Sequence, residues 1–250
     1  MKIFSKSPYK NIPKELVFDY TMGNSIPILN WWMNNSVTDK VIWNNEYIQD
    51  FIKRYTIKNI NSNKEGWSPY GHRVVTMLLN SFQDYDIKNK KIAVIGSLDP
   101  WIEAMLINLG NKVTTIEYNV PIAKYDNLEC KDYFKFFENS TENFDAIVTF
   151  SSIEHSGLGR YGDPLDPCGD LKTMKHIHRN LKSNGILIWG APVGHDALVW
   201  NVHRVYGKIR LPLLFKNFEE LKWYGSSKQT LLNKPISNNG FQPVVVLRKM

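Results

Sequence analysis

The residues best suited to chemistry lie in one segment, SSIEHSGLGRYGDPLDPCGD (151–170), which directly follows the apolar run FDAIVTF. Glu154 and His155 stand where that run ends. A neutral imidazole is a suitable base near pH 7, so His155 is the preferred catalytic base, with Glu154 beside it. A loop that only turned the chain would need fewer charged residues. The segment therefore predicts the reaction face of an enzyme.

Further side chains at this predicted rim could bind a phosphorylated ligand. Arg160 and Tyr161 share the glycine-containing loop, and His203 and Arg204 lie in NVHRVYG, which follows the next predicted strand. Arginine offers a bidentate fork to phosphate oxygens, and a tyrosine ring can face a sugar. We predict substrate binding by Arg160, Tyr161 and Arg204. His203 is a second candidate for the base.

A divalent metal is another way to activate a hydroxyl, and the sequence leaves it open. Carboxylates and imidazoles are ligands that magnesium, manganese or ferrous iron accept. The candidate ligands are His155, Asp170, Glu154 and His203. The simpler interpretation of Asp170 is a cap on the next helix.

The stretch VIGSLDPW (94–101) connects a predicted strand to a predicted helix and is the expected cofactor turn. Gly96 lets the backbone approach a ligand, and Glu117 ends the next strand, where an acid can hold ribose hydroxyls. A pyrophosphate cofactor needs G-x-G-x-x-G, whereas here only Gly96 is present and Asp99 would repel phosphate. S-adenosylmethionine has a sulfonium and an amino group but no phosphate, so it fits this turn better.

Three more residues complete the predicted cofactor contacts. Ser97 lies in the turn, Tyr70 follows a helix start predicted at Ser68–Pro69, and Asp132 follows the third predicted strand. Asp132 could reach the adenine region, and its alternative interpretation is a helix N-cap.

The elements that position these residues alternate regularly from residue 91 onwards. Apolar runs separated by helical patterns indicate a parallel sheet with helices on both faces. The runs ELKWYGS and PVVVLRK suit an antiparallel pair at one edge. This order predicts an α/β fold of the class I methyltransferase (Rossmann-like) type: a three-layer sandwich with a mostly parallel seven-stranded sheet and a terminal antiparallel hairpin. We expect this domain over 67–250, preceded by a partly helical extension over 1–66 that contains EYIQDFIKRY.

Composition narrows the classes of partner. The 250 residues carry 31 basic and 24 acidic side chains, a net charge of +7, without a contiguous basic track, so nucleic acid is not expected. The most apolar stretch, GILIWGAPVG, is too short for a membrane helix, and no membrane partner is expected. Cys130 and Cys168 do not suggest a disulfide framework. We therefore expect a cytoplasmic protein and leave a homo-oligomer open.

Four stretches together resemble a known family: IGSLDPWIEAML, TTIEYN, SSIEHSGLGRYGDPLDPCGDL and LIWGAPVGHDALVWNVHRVYG. They are similar to methyltransferase-like proteins long catalogued as a domain of unknown function, some of them from bacterial capsule and polysaccharide gene clusters. The resemblance covers roughly residues 66 to 225, and EHSGLGRYGDP is its most distinctive part. It implies a class I methyltransferase fold and, for the members from capsule loci, O-methylation of sugars, including GDP-linked heptose. The G-x-G-x-G signature of ordinary methyltransferases is absent.

The function predicted from these observations is transfer of a methyl group from S-adenosylmethionine to a hydroxyl of a nucleotide-activated sugar for capsular polysaccharide biosynthesis. The 6-hydroxyl of a GDP-heptose is the first guess. The alternatives are an NAD(P)-dependent sugar-nucleotide oxidoreductase, an RNA methyltransferase and a binding module without catalysis.

Overall fold

The computed structural model describes residues 9–36, 40–63 and 70–250. Its strands are β1 (Ile28–Trp31), β2 (Ile42–Trp43), β3 (Lys91–Ile95), β4 (Lys112–Glu117), β5 (Ile122–Ala123), β6 (Leu128–Asp132), β7 (Phe144–Phe150), β8 (Leu181–Gly190), β9 (Ala197–Asn201), β10 (His203–Val205), β11 (Phe218–Tyr224) and β12 (Val244–Lys249). Its helices are α1 (Val17–Tyr20), α2 (Asn45–Arg54), α3 (Ile57–Ser62), α4 (Gly71–Asp84), α5 (Trp101–Ile107), α6 (Tyr133–Asn139), α7 (Gly169–Asn180), α8 (Leu211–Leu214) and α9 (Lys228–Leu232).

Seven of these strands form the central sheet, in the order β11-β12-β8-β7-β3-β4-β6. The five strands from β8 to β6 are parallel, and β12 and β11 add antiparallel to the β8 edge. The predicted sheet with its terminal antiparallel pair is confirmed. The chain builds outward from β3 through β4 to β6, then returns to the other side of β3 with β7 and β8. A crevice at such a reversal is where open α/β sheets bind ligands.

The apolar strands are buried because helices cover both faces of the sheet. Successive residues of β3 alternate between the two cores: Ile92 and Val94 pack in one, and Ala93 and Ile95 in the other. This alternation follows from the two-residue repeat of a strand. Helices α4 and α5 pack in the first core, while α6, α7 and α8 pack in the second. This is the predicted three-layer arrangement.

The first third of the chain adds strands as well as helices. Helix α2 covers the stretch expected to be helical, but β1 was not expected, and it pairs in parallel with β9. Strand β10 pairs antiparallel with β9, so His203 and Arg204 lie in a small three-stranded sheet. The predicted helix start at Ser68–Pro69 lies outside the described residues, and the boundary near residue 66 stays a prediction.

Within the three described ranges, no helix combines the length and apolar character needed to cross a bilayer.

Candidate active site

A cleft opens at the carboxyl ends of β3, β4 and β7. Its lining joins the predicted cofactor turn to the predicted reaction loop: Tyr70, Gly96, Ser97, Leu98, Asp99, Trp101, Ile102, Glu117, Tyr118, Asn119, Phe150, Ser151, Ser152, His155 and Tyr161. The structure thus brings together six of the predicted site residues, namely Tyr70, Gly96, Ser97, Glu117, His155 and Tyr161.

Gly96 joins the two halves of the cleft. Its φ angle is +77°, in the left-handed region that glycine adopts without strain. A Cβ atom on Gly96 would overlap the Ser152 side chain. Only glycine therefore allows the turn after β3 to pack against the end of β7.

Glu117 is held in the cleft by backbone amides. Its Oε2 accepts a hydrogen bond from the Ser97 amide at 2.7 Å, and its Oε1 accepts one from the Tyr118 amide at 2.7 Å. Burial raises the pKa of Glu117, and these amide donors oppose the rise. Since each carboxylate oxygen can accept a second hydrogen bond, Glu117 can still receive hydroxyl donors from a ligand.

A second carboxyl group, Glu103, lies behind the turn and was missed from the sequence. It is fully buried on α5, where its oxygens accept hydrogen bonds from the Ser97 hydroxyl at 3.1 Å and the Thr115 hydroxyl at 2.8 Å. Burial raises the pKa of Glu103 to about 7. The signal available was an acidic residue within the otherwise apolar helix WIEAMLI.

His155 lies in a 3-10 turn, Ile153–His155, immediately beyond β7. Its Nδ1 is 2.6 Å from the Val202 carbonyl oxygen. Because a carbonyl oxygen only accepts, Nδ1 carries the proton and Nε2 has the lone pair. Burial and the positive charge of Arg160 lower the pKa of His155 to about 3, so the imidazole is neutral at physiological pH. The structure thus gives the predicted base an unprotonated nitrogen.

Glu154 lies behind His155 and is fully buried. Its Oε1 is 3.6 Å from His155 Nε2. Neither carboxylate oxygen has a hydrogen-bond partner of normal geometry among the described residues. Burial raises the pKa of Glu154 to about 7, and the Ser151 side chain and nearby amides only partly oppose that rise. Ionising a buried carboxyl group that has no partner costs free energy. A positive charge on His155 would therefore favour the ionised form of Glu154.

Tyr161 lines the cleft, whereas its neighbour Arg160 lies outside it. The Tyr161 ring stands edge-on to His155, with 5.4 Å between ring centroids, and lines the cleft. Arg160 packs over the outer part of that ring but does not line the cleft. Its Nε donates to Asn35 Oδ1 at 2.8 Å and its Nη1 to the Val202 carbonyl at 3.2 Å. Through these hydrogen bonds Arg160 stabilises the reaction loop from a position outside the cleft.

Arg204 lies beneath the loop, not on its rim. It is 2% exposed, and its Nη1 donates to the carbonyls of Glu154 and Ser156 at 3.3 and 2.8 Å. Its Nε is 3.7 Å from Asp170, which also forms a 2.6 Å ion pair with Arg210. Burial would raise the pKa of Asp170, but the two guanidinium charges hold it below its ordinary value. Arg204 thus holds the backbone of the reaction loop, and the structure does not place it against a substrate.

The residues named as metal ligands do not converge on one point. Asp170 is committed to the two arginines, and His203 Nε2 is 2.8 Å from the Asn238 carbonyl, outside the cleft lining. No group of three or more His, Cys, Asp or Glu side chains suited to a metal occurs in the described part of the chain. The prediction of a metal site is therefore not supported.

Asp132 also differs from its predicted ligand role. Its side chain accepts a hydrogen bond from the Lys135 amide at 2.9 Å and so caps α6. It does not line the cleft. The simpler interpretation, a helix N-cap, describes where the structure places it.

The cleft is acidic. Asp99 and Glu117 line it, while no lysine or arginine does so among the residues that the structure describes. A pyrophosphate in this cleft would be repelled by the carboxylates of Asp99 and Glu117. A cationic ligand fits, because its charge would face the two carboxylates. These residues therefore suit S-adenosylmethionine better than a dinucleotide.

Solved structures resembling this chain include methyltransferases. One is the 1,6-didemethyltoxoflavin-N1-methyltransferase of Burkholderia thailandensis with bound 1,6-didemethyltoxoflavin and S-adenosylhomocysteine, at 14% identity, covering 86% of this chain and 94% of that chain, with a TM-score of 0.54. Another is the N-methyltransferase NodS of Bradyrhizobium japonicum WM9 in complex with S-adenosylhomocysteine, at 13% identity, covering 82% and 98%, with a TM-score of 0.49. The first likeness shows that this chain has the class I methyltransferase fold.

Sequence comparison identifies a family but not a characterised relative. No curated protein matches the chain. Residues 89–250 match the family described as "Caenorhabditis protein of unknown function, DUF268". Because this match covers more than half of the chain, the protein belongs to the DUF268 family.

Proposed function

We propose that this protein is an S-adenosylmethionine-dependent methyltransferase that methylates a hydroxyl of a nucleotide-activated sugar. One observation carries the proposal: in the described part of the chain the cleft is lined by carboxylates and by no lysine or arginine, and a neutral histidine stands at its reaction end. An acidic cleft suits a cationic methyl donor, and a neutral imidazole suits an acceptor that must lose a proton.

The cofactor end is built from Gly96, Ser97 and Glu117. Gly96 brings the backbone close to the ligand, and Glu117 accepts hydrogen bonds from ribose hydroxyls. The next residues of that strand end, Tyr118 and Asn119, line the same part of the cleft. When bound, S-adenosylmethionine supplies an electrophilic methyl group on a sulfonium.

The reaction end removes a proton from the acceptor. His155 Nε2 would accept the hydroxyl proton of the acceptor as the new O–CH3 bond forms and the C–S bond of the bound donor breaks, with S-adenosylhomocysteine as the leaving group. An imidazolium formed there is unfavourable, since burial and Arg160 already disfavour the charged form. Glu154 Oε1 lies 3.6 Å from His155 Nε2, so the carboxyl group stabilises the imidazolium by charge pairing in its ionised form, which burial and a pKa of about 7 leave only partly populated at neutral pH. Val202 holds the ring in the required tautomer through its carbonyl oxygen.

The sugar acceptor is supported by the resemblance of EHSGLGRYGDP to sugar O-methyltransferases of capsule clusters, and by Tyr70 and Tyr161, whose rings line the cleft. GDP-heptose, methylated at its 6-hydroxyl for capsular polysaccharide, is the first acceptor to test. Such an acceptor is an intermediate of cytoplasmic synthesis, and we extend the proposal to that compartment.

An NAD(P)-dependent oxidoreductase is the alternative that shares this type of sheet. The acidic cleft disfavours this alternative, because a dinucleotide would bring its pyrophosphate to the turn that holds Asp99, and the two negative charges would repel each other.

The proposal is tested by incubating the protein with trideuteromethyl-labelled S-adenosylmethionine and a panel of nucleotide sugars, with GDP-heptose among them. Mass spectrometry should show a labelled methyl group on the sugar of at least one acceptor. The matched control is the His155→Asn variant, which should bind cofactor and transfer little label. Labelling of RNA but of no sugar would contradict the acceptor class, and labelling of nothing would contradict the proposal.

A further inference from the structure

A second groove adjoins the cleft and shares Tyr70 with it. We call it the Phe241 groove. It is lined by Tyr70, Arg73, Val74, Lys234, Asn239, Gly240, Phe241 and Gln242. One wall comes from the first turn of α4, and the other from the segment that leads into β12.

Two cations in this groove share one aromatic ring. The Arg73 guanidinium carbon is 4.2 Å from the centroid of the Phe241 ring, and Lys234 Nζ is 5.2 Å from it. Both side chains are exposed. Within the described chain neither forms an ion pair with a carboxylate, and no Asp or Glu lines the groove. Two neighbouring positive charges without a counter-charge attract an anionic ligand.

The groove lies at the reaction end of the cleft. Strand β12 is antiparallel to β8, with Val245 opposite Trp189, so the residues before β12 stand at the carboxyl end of β8. Gln242 Nε2 is 3.4 Å from the hydroxyl of Ser151, which lines the cleft. Glu117 lies at the far side, across β7 and β3. A ligand could therefore occupy the groove and the reaction end together without crossing the cofactor end.

The arginines expected from the sequence to bind phosphate are engaged elsewhere. Arg204 is buried among backbone carbonyls and Asp170, and Arg160 donates to Asn35 and Val202. The Phe241 groove supplies the same chemistry in an accessible position: a guanidinium fork and an ammonium point charge.

We propose that the Phe241 groove binds the phosphate or diphosphate of the methyl acceptor, with Arg73 and Lys234 holding its charge while the sugar extends past Tyr70 to His155. This inference rests on the proposed function for the identity of the sugar. The assignment of the groove to a phosphorylated ligand does not depend on the sugar. It rests on the charge of the groove, its accessibility and its position beside Ser151.

The test uses the full-length protein and the double variant Arg73→Gln/Lys234→Gln. A matched control, Lys58→Gln/Lys112→Gln, removes the same charge from exposed positions outside both cavities. Inorganic pyrophosphate, GDP and UDP are titrated by calorimetry at two salt concentrations. We expect GDP and UDP to bind the wild-type protein and the control alike, and the groove variant at least about 10-fold more weakly, with a smaller salt dependence. S-adenosylhomocysteine should bind all three proteins equally.

The outcomes separate this inference from the proposed function. The groove assignment would be wrong if the wild type and the groove variant bound nucleotides equally well. It would also be wrong if the control variant lost as much nucleotide affinity as the groove variant. Neither result would bear on cofactor binding. Charge-dependent nucleotide binding without any binding of S-adenosylhomocysteine would support the groove and contradict the methyltransferase proposal. With an active acceptor, the groove variant should raise KM about 10-fold or more and leave kcat nearly unchanged, since its charges contact the substrate away from the reacting atoms. An unchanged KM would also overturn the inference.

Discussion

Two cavities meet at Tyr70, and they carry opposite charge. The cleft has Asp99 and Glu117 in its lining and, over the described residues, no lysine or arginine. The Phe241 groove has Arg73 and Lys234 and, over the same residues, no acidic side chain. Both are open to ligands and both combine polar groups with aromatic rings, so the sign of the charge is what distinguishes them.

Under the proposed function, this difference in charge would direct the methyl donor and the acceptor to different cavities. A cationic methyl donor is favoured in the acidic cleft and disfavoured in the basic groove, while the reverse holds for a phosphorylated acceptor. His155 and Tyr161 stand at the reaction end of the cleft, where the two would meet. Under the proposed function, this charge separation would orient the acceptor with its phosphates away from the cofactor.

The largest effect should come from removing the base and keeping both charged cavities. In His155→Asn the side-chain amide can still donate to the Val202 carbonyl, but no nitrogen is left to take a proton. We expect kcat to fall by about 10²- to 10⁴-fold with S-adenosylhomocysteine affinity unchanged, because general-base catalysis contributes rate enhancements of that order. Single-turnover kinetics with labelled donor measures this.

His203→Asn is the matched control for that variant, since His203 is also buried but lies outside the cleft lining. It should keep turnover within a few-fold of the wild type. A collapse of kcat in His203→Asn together with an active His155→Asn would transfer the role of base to His203.

The second prediction contrasts the buried arginines beneath the reaction loop with an exposed ion pair on the surface. Asp170→Asn leaves Arg204 and Arg210 buried without their carboxylate, which should lower the free energy of unfolding by roughly 3–5 kcal/mol. Asp84→Asn, which breaks an exposed ion pair with Lys222, should lower it far less, because solvent screens exposed charges. Denaturant unfolding compares the two. Equal and small losses would mean that Asp170 does not neutralise the arginines beneath the reaction loop.

The third prediction concerns the carboxyl group under the acidic cleft. Burial raises the pKa of Glu103 from 4.5 to about 7, so the folded protein keeps a proton that the unfolded chain releases. Its stabilising effect is complete below about pH 4.5 and is lost as the pH rises to about 7. Glu103→Gln removes that dependence, and the difference in unfolding free energy between variant and wild type should shift by roughly 3 kcal/mol in favour of the variant between pH 4 and pH 8. Denaturant unfolding at several pH values measures it, and a difference independent of pH would contradict the buried position of Glu103.

The smallest effect should come from neutralising a carboxylate of the acidic cleft. Glu117→Gln removes one negative charge and one acceptor from the cleft, so S-adenosylmethionine should bind about 10-fold more weakly. S-adenosylhomocysteine, which lacks the sulfonium charge, should lose less. Calorimetry on both ligands tests this, and an equal loss for the two would show that hydrogen bonding rather than charge selects the cofactor.

Much of the fold could be predicted from the sequence because it rests on local patterns. The strands KIAVI and FDAIVTF are continuously apolar, as expected for a sheet covered on both faces, and the turn at Gly96 is where a strand gives way to a helix. Glu117 and His155 follow from the same pattern, because each stands at or just beyond the end of a parallel strand.

What could not be predicted depends on contacts between distant parts of the chain. Strand β1 is four residues long and pairs with β9, about 170 residues later, and no local signal specifies that partner. Arg204 carries the same charge as a surface arginine, and only the position of β10 under the loop makes it a buried anchor. The Phe241 groove joins the start of α4 to the segment before β12, so its two cations lie far apart in sequence.

The measurement that tests the central claim most directly is calorimetric titration of the wild-type protein with S-adenosylmethionine, S-adenosylhomocysteine, NAD⁺ and NADP⁺. The account predicts that the two adenosyl sulfur compounds bind with one-to-one stoichiometry and compete with each other, and that Glu117→Gln weakens the methyl donor most. It also predicts that neither NAD⁺ nor NADP⁺ displaces the adenosyl sulfur compounds from the cleft. Binding of NAD⁺ or NADP⁺ without binding of the adenosyl sulfur compounds would contradict the assignment of the acidic cleft to a cationic methyl donor.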